Sequence, residues 1–111
     1  MPTIYIMPQA DFLEGFPDVP LLSGLEEINL NARFVFDTPT GTIAETTLNT
    51  KQSHVEVLKR YNTNLVALGW DCTHMPVKLI CNRDQHILTL TTRKSNKMGT
   101  IIDLRIDPKQ S

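Results

Sequence analysis

One amphipathic segment with clear start and stop signals constrains this fold most. Residues 53–70 read SHVEVLKRYNTNLVALGW. Ser53 followed by Glu56 is typical of a helix start with a capping box, and Gly69 supplies the left-handed residue that ends many helices. Between these signals an apolar residue recurs every three or four positions, giving a single stripe of Val55, Leu58, Tyr61, Leu65 and Leu68. The pattern predicts one helix with one buried face and Trp70 folded back over its last turn.

Segments of two-residue alternation lie on both sides of this helix and predict strands. Residues 32–36 and 42–48 flank the turn sequence DTPTG, which favours a hairpin. Further alternating segments begin near Val77, His86 and Ile101. We predict an α+β fold, a single antiparallel sheet of about five strands in the order ββαβββ with the helix on one face. The helix stripe is then expected to meet Phe34, Phe36, Leu79, Leu88, Leu90, Leu104 and Ile106.

The first thirty residues differ in composition from the rest of the chain. They hold four of the seven prolines, mixed with large apolar residues such as Phe12, Phe16 and Leu22. Proline interrupts sheet ladders, whereas apolar side chains need cover. We predict a Pro-rich N-terminal arm, residues 1–30, laid on a sheet-and-helix core, residues 31–108, with a short strand at Thr3–Met7. The size prior favours a single domain, residues 1–111.

Charge and hydropathy exclude several classes of protein. The chain has 11 basic and 12 acidic residues, a net charge of −1, so a nucleic-acid partner is not expected. No apolar run reaches the roughly 20 residues that cross a bilayer, and the first residues do not resemble a signal peptide. We therefore expect no membrane span and a cytoplasmic location. Cys72 and Cys81 are expected to be reduced thiols there.

The residue types that carry chemistry do not form a known constellation. Cys72-x-His74 and Cys81-x4-His86 lack the tight ligand pairs of zinc sites. His54 belongs to the first helical turn, and no cysteine lies at a nucleophile turn. Phosphate-binding glycine motifs are absent from the sequence. We predict no catalytic residues, no metal and no cofactor.

The sheet face opposite the helix is the surface without an obvious cover. It is expected to mix apolar and charged side chains, and a single helix cannot cover both faces of the sheet. The arm could cover it, a partner could, or it could stay wet. We take it as the candidate interaction face, formed by Arg33, Val35, Ile43, Glu45, Lys78, Ile80, Ile87, Ile101, Asp103 and Arg105.

Three sequence blocks carry a resemblance to a known family. They are DVPLLSGLE at 18–26, FDTPTGTIAE at 36–45, and VLKRY at 57–61 continued by LVALGW at 65–70. The chain resembles small uncharacterised alphaproteobacterial proteins with D-x-P-L-x-x-G-L, F-D-x-x-x-G-x-I and L-G-W patterns, over residues 18–108. It departs from them at Thr42, where they carry Arg, at Arg60, where an aromatic residue precedes Tyr61, and at Asp84, where they carry Glu. The resemblance implies no reaction and brings no catalytic residues.

These observations lead to a function hypothesis with two competitors. The first hypothesis is a non-enzymatic protein-interaction or assembly domain, with a protein partner or a second copy on the open face. The runner-up is a small-ligand-binding protein or minor enzyme with a pocket between arm and sheet, rimmed by Arg33, Glu45, Lys78 and Arg105. A third hypothesis is redox or metal chemistry at Cys72 and Cys81. The element order also resembles small lipoprotein domains of outer-membrane assembly machinery, on topology alone.

Overall fold

Seven strands and one helix form the part of the chain that the computed structural model describes, residues 12–28, 33–95 and 98–109. In chain order they are β1 (Glu26–Glu27), β2 (Phe34–Thr38), β3 (Gly41–Thr50), α1 (His54–Ala67), β4 (Asp71–Met75), β5 (Lys78–Arg83), β6 (His86–Lys94) and β7 (Thr100–Pro108). Every pairing between these strands is antiparallel. The predicted α+β class with a helix and an antiparallel sheet is confirmed.

The sheet runs in the order β1-β3-β7-β6-β5-β4, and β2 pairs with β3 on the same side as β1. α1 carries the chain from β3 across the sheet to β4 at the opposite edge. The prediction of about five strands in the order ββαβββ was wrong in detail because β1 and β4 were missed. β1 has only two residues, both Glu, and β4 reads DCTHM, which lacks apolar alternation. The strand predicted at Thr3–Met7 lies outside the described residues.

The ends of α1 form as the sequence predicts. Ser53 Oγ accepts a hydrogen bond from the Glu56 amide at 3.2 Å, which satisfies one orphan N–H of the first turn. At the other end Gly69 has φ +96°, and the Trp70 and Gly69 amides donate to the Leu65 and Val66 carbonyls. These two bonds are a Schellman motif, in which the left-handed glycine lets the chain reverse. Among the described residues no helix is long and apolar enough to cross a membrane.

The core lies between α1 and one face of the sheet. The buried helix residues are Val57, Leu58, Tyr61 and Leu65, so the stripe is rotated from the predicted one, and Val55 and Leu68 are exposed. Beneath them the sheet contributes Leu79, Leu88, Leu90, Leu104 and Ile106, which are buried as predicted. The prediction for Phe34 and Phe36 was wrong, since both rings are exposed. The register pairs Phe34 with Glu45 and Phe36 with Ile43, which point away from the helix.

The N-terminal arm packs on the same sheet face as α1. Its apolar side chains are buried in the common core, namely those of Leu13, Phe16, Val19, Leu22 and Leu25. The phenol of Tyr61 donates to the Pro20 carbonyl at 2.8 Å, and the Trp70 indole donates to the Asp18 carbonyl at 3.2 Å. In its described residues, 12–28, the arm therefore completes the helix layer and does not cover the opposite face of the sheet.

Candidate interaction surface

The sheet face turned away from α1 and the arm, here called the open face, gathers most of the predicted interaction residues. Antiparallel register places side chains of β3, β7, β6 and β5 side by side on it. They include Ile43, Glu45, Lys78, Ile80, Ile87, Ile101, Asp103 and Arg105, all of which keep some solvent exposure. The isoleucines are partly shielded by their neighbours, so the face is a mixed apolar and charged surface.

Arg33 and Val35 do not belong to the open face. Arg33 donates to Glu27 at 3.2 Å, and Glu27 also accepts from Thr46, a buried residue of the helix side. Val35 pairs with buried Ala44 and lies against Gly15 of the arm, where a Cβ would approach the Val35 Cγ2 to 2.5 Å. The two residues therefore point to the helix side of the sheet, against the prediction. The reason is that β2 has the opposite facing from the one assigned by its alternation.

The charged side chains of the open face pair with one another. Arg93 binds Asp103 at 2.9 Å, and Asp103 also accepts from the Thr47 hydroxyl at 3.1 Å. Arg105 forms ion pairs with Glu45 and with Asp107, the latter at 2.8 Å. These contacts raise the pKa of Arg93 and of Arg105 through hydrogen bonds to the carboxylates. A shallow depression of about 410 Å³ lies over this network, lined by Glu45, Thr47, Thr89, Thr91, Asp103 and Arg105.

β2 is the edge of the sheet with the most exposed apolar surface. Phe34, Val35 and Phe36 are 44, 43 and 58 % exposed although the strand is fully paired with β3. The Phe34 and Phe36 rings stack, with centroids 6.4 Å apart and an interplanar angle of 13°. Such an edge is unusual, because proteins normally blunt exposed edge strands with charge, proline or cover. These three residues are called the apolar edge below.

The direction of the backbone groups along β2 follows from two hydrogen bonds of β3. Thr42 donates its amide to His86 Nε2, on the β7 side of β3, at 3.1 Å. Thr47 accepts from the Ile28 amide, on the β1 side, at 3.0 Å. Along an antiparallel strand, the backbone N–H and C=O groups of successive residues point alternately to the two sides. The groups of Ile43 and Glu45 therefore point to β2, where they form hydrogen bonds with the backbone of Phe36 and Phe34. The N–H and C=O groups of Val35 and Asp37 therefore point outward, and no described residue pairs with them in the sheet.

Apolar side chains also occur on the open face near this edge, separated by Asp107 of β7. Phe36 pairs with Ile43, and the register brings Ile87 of β6 into the same row across β7. A depression of about 720 Å³ lies beside them, lined by Thr38, Thr40, Ile43, Asn82, Ile87, Asp107, Pro108 and Lys109. An added strand next to β2 would thus meet aromatic and aliphatic side chains on the open face. The other edge strand, β4, exposes mainly polar residues, with Met75 as its exposed large apolar side chain.

The cysteines form a bond, whereas reduced thiols were expected from the sequence. Cys72 and Cys81 face each other in the β4–β5 pairing and are joined by a disulfide, so the prediction of reduced thiols was wrong. The expectation of reduced thiols rested on the expected cytoplasmic location, and β4, which sets the two cysteines opposite each other, was missed. A bonded sulfur is not available as a metal ligand or a nucleophile. Within residues 12–28, 33–95 and 98–109, no three His, Cys, Asp or Glu side chains group in a way that could hold a metal ion.

The predicted pocket between arm and sheet does not assemble from its proposed rim. Arg33 lies on the helix side, whereas Glu45, Lys78 and Arg105 lie on the open face. The space beneath the arm is filled by the arm's own buried side chains, including Leu13 and Val19. The sequence reasoning also missed the apolar edge itself. A usable signal was that Phe34 and Phe36 lie between the charged residues Arg33 and Asp37 in the first strand of a hairpin.

Comparison with known proteins found no match: no family model, no curated protein and no solved structure resembles the chain closely enough to identify it.

Proposed function

We propose that this chain is a non-enzymatic protein-interaction domain that binds a partner strand along the apolar edge. The observation that carries the proposal is the joint exposure of Phe34, Val35 and Phe36 on a strand whose outward backbone groups have no partner in the described sheet. Strand addition to such an edge supplies main-chain hydrogen bonds, and alternate side chains supply the specificity. The function is therefore assembly.

The two faces of β2 offer a partner strand different kinds of side chain. On the open face, a partner's apolar side chain would contact the stacked rings of Phe34 and Phe36, and aromatic residues commonly anchor interfaces. On the helix side, Asp37 is exposed beside Val35, whereas Arg33 is already paired with Glu27. The self-paired charges of the open face, such as Arg105 with Glu45, add less, because exposed ion pairs already satisfied within the chain gain little from a partner.

Photocrosslinking from within the apolar edge tests the proposal. A benzoyl-phenylalanine replaces Phe36 in one variant and Val66, on the exposed side of α1, in a matched control. The two positions are 58 and 52 % exposed, so general stickiness affects both alike. We expect discrete adducts from position 36 and none from position 66 after irradiation in cell extract. Equal labelling at both positions, or no adduct at position 36, contradicts a binding edge.

The alternative function, a small-ligand-binding protein or minor enzyme, has less support. Its pocket would now have to be the depression on the open face, because the arm fills the space first considered for it. The charged side chains that line this depression, Glu45, Asp103 and Arg105, already pair within the chain. A ligand would therefore have to break these pairs before it could use them. Nuclear magnetic resonance titration with small-molecule fragments, read at Thr89 and Thr91, separates the two functions.

Membership in the alphaproteobacterial family remains a proposal that rests on the three sequence blocks. What supports it is that residues of the first and third blocks meet at one place in the fold, beside Arg83. Asp18 of the first block binds Arg83 at 2.6 Å and accepts from the indole of Trp70, the last residue of the third block. Arg83 also lies over the Trp70 ring, 5.1 Å from its centroid. We retain a protein partner or a second copy as the expected partner.

A further inference from the structure

We propose that the partner at the apolar edge is a second copy of this chain, paired β2 to β2 in an antiparallel dimer with a two-fold axis through Val35. The inference rests on the proposed function and names its partner. It follows from the side chains of β2 and from which of its backbone groups point outward, and it makes one sheet continuous through both copies.

The backbone restricts the possible registers. Outward-pointing groups belong to Val35 and Asp37, and by the same alternation to Arg33. Two copies can exchange hydrogen bonds only if residues of this set oppose one another. An axis at Arg33 or Asp37 would oppose like charges, so the axes that remain pass through Phe34, Val35 or Phe36. Registers displaced by a single residue would oppose outward groups with inward ones and form no ladder.

Aromatic complementarity selects the axis at Val35. In that register Arg33 lies opposite Asp37 of the second copy, and Phe34 lies opposite Phe36, each combination occurring twice by symmetry. Aromatic pairs directly across a ladder are stabilising, whereas Arg33 already pairs with Glu27 of its own chain and adds little. An axis at Phe36 would place Asp37 opposite Val35, and an axis at Phe34 would place Arg33 opposite Val35. Each alternative leaves one aromatic pair, formed by the residue on the axis with its own copy, whereas the axis at Val35 forms two.

The side chains fall on the correct faces for this dimer. Phe34 and Phe36 both point to the open face, so the aromatic pairs of the two copies would form one apolar cluster there. Val35 points to the helix side with Arg33, whose guanidinium already lies between Glu27 and Glu14 at 3.2 and 3.9 Å. Asp37 is exposed and accepts from the Thr42 hydroxyl, so it stays accessible to an arginine of the second copy.

Cysteine scanning reads both the partner and the register. Both native cysteines are in the disulfide, so a new cysteine is the free thiol of the described chain. At micromolar protein, Val35→Cys should form an intermolecular disulfide at least about tenfold faster than Thr63→Cys on the exposed side of α1, because pairing raises the effective thiol concentration to the millimolar range. Phe36→Cys should crosslink more slowly than Val35→Cys, since position 36 faces position 34 and the two introduced thiols lie diagonally across the ladder. Fastest crosslinking at position 36 or 34 overturns the register, and equal rates at all positions overturn the dimer.

A backbone variant tests the ladder without relying on thiols. Val35→Pro removes one outward N–H, which an edge strand tolerates, and leaves the inward bonds to β3 intact. The shape-matched control Val35→Thr keeps the amide. In sedimentation equilibrium we expect wild type and Val35→Thr at twice the mass of one chain, and Val35→Pro as a folded monomer by circular dichroism. A monomeric wild type at all soluble concentrations, or a dimeric Val35→Pro, overturns the proposal.

The two proposals fail separately. If the purified chain is a monomer but the probe at position 36 labels a different protein in extract, the apolar edge binds and the second copy is not its partner. If the purified chain is a monomer and position 36 labels nothing, both proposals fail.

Discussion

At the scale of single residues, Tyr61 shows how a polar atom is accommodated in the core. Its ring is fully buried, and its hydroxyl donates to the Pro20 carbonyl of the arm at 2.8 Å. Burial favours the neutral phenol and raises the pKa of Tyr61 above its ordinary value of 10. The residue therefore joins the helix to the arm through a bond that exists only while the phenol keeps its proton.

The expected consequence of Tyr61→Phe is a loss of about 1–2 kcal/mol of unfolding free energy at neutral pH, because the Pro20 carbonyl loses its donor. The pH dependence has a definite sign. The stability that this raised pKa contributes is fully present below pH 10. It is lost as the pH rises from 10 through the folded-state pKa. Above pH 10, stability should fall by up to about 1.4 kcal/mol more per pH unit in wild type than in Tyr61→Phe. Parallel urea-unfolding profiles from pH 8 to 11 would contradict this.

At the scale of elements, the β4–β5 hairpin depends on the bond between Cys72 and Cys81. The two residues are nine positions apart and directly opposed in the ladder. Closing a loop of this size restricts the unfolded chain and is worth about 2–3 kcal/mol in the chain-entropy model. The hairpin forms one edge of the sheet, so the disulfide holds a terminal strand in place.

Reduction should therefore lower the stability of the wild-type chain and leave Cys72→Ser/Cys81→Ser unchanged. We expect a loss of about 2–3 kcal/mol in denaturant unfolding when a thiol reductant is added to wild type. The double variant serves as the control for effects of the reductant itself. Alkylation of both cysteines in the native chain before reduction would show that the bond is absent.

The element scale also shows what sequence reasoning can reach. The caps of α1, at Ser53 and Gly69, depend on bonds within a few residues, and the sequence predicted both. The facing of β2 depends on the register of the predicted hairpin, in which Phe36 opposes Ile43 and Phe34 opposes Glu45. That register was not predicted, so Phe34 and Phe36 were placed in the core although they lie outside it. The candidate face was predicted for β3, β5, β6 and β7 because their alternation is regular. The disulfide was not predicted, because a cytoplasmic location was expected and because the register that opposes the cysteines requires β4, whose sequence carries no strand pattern.

At the scale of the whole molecule, the arm is part of the folding unit. Phe16, Val19 and the other arm residues of the core share one buried cluster with α1 and the sheet. Arg60 of the helix holds the same segment through the Ser23 carbonyl at 2.9 Å. The 1–30 and 31–108 division describes composition and does not mark a boundary between independent units.

Deletion of residues 1–25 should consequently abolish cooperative unfolding. Each of the buried arm side chains contributes about 1.5–3 kcal/mol, and their sum is comparable with the whole stability of a small domain, about 5–15 kcal/mol. Phe16→Ala is the milder test and should cost about 3–5 kcal/mol. Differential scanning calorimetry checks both variants, with deletion of residues 1–10 for comparison. A sharp transition in the 1–25 deletion would show that the core forms without the arm.

The position of β7 has a consequence for the order in which the molecule can form. β7 lies between β3 and β6, so it joins the edge that carries β1 and β2 to the β4–β6 meander. Synthesis produces these two halves of the sheet before the strand that connects them. Until residues 100–108 leave the ribosome, β3 and β6 each present an unpaired side. The nascent chain therefore passes through a stage with more unpaired strand edges than the finished protein. Chaperones that recognise extended segments would bind the chain at that stage.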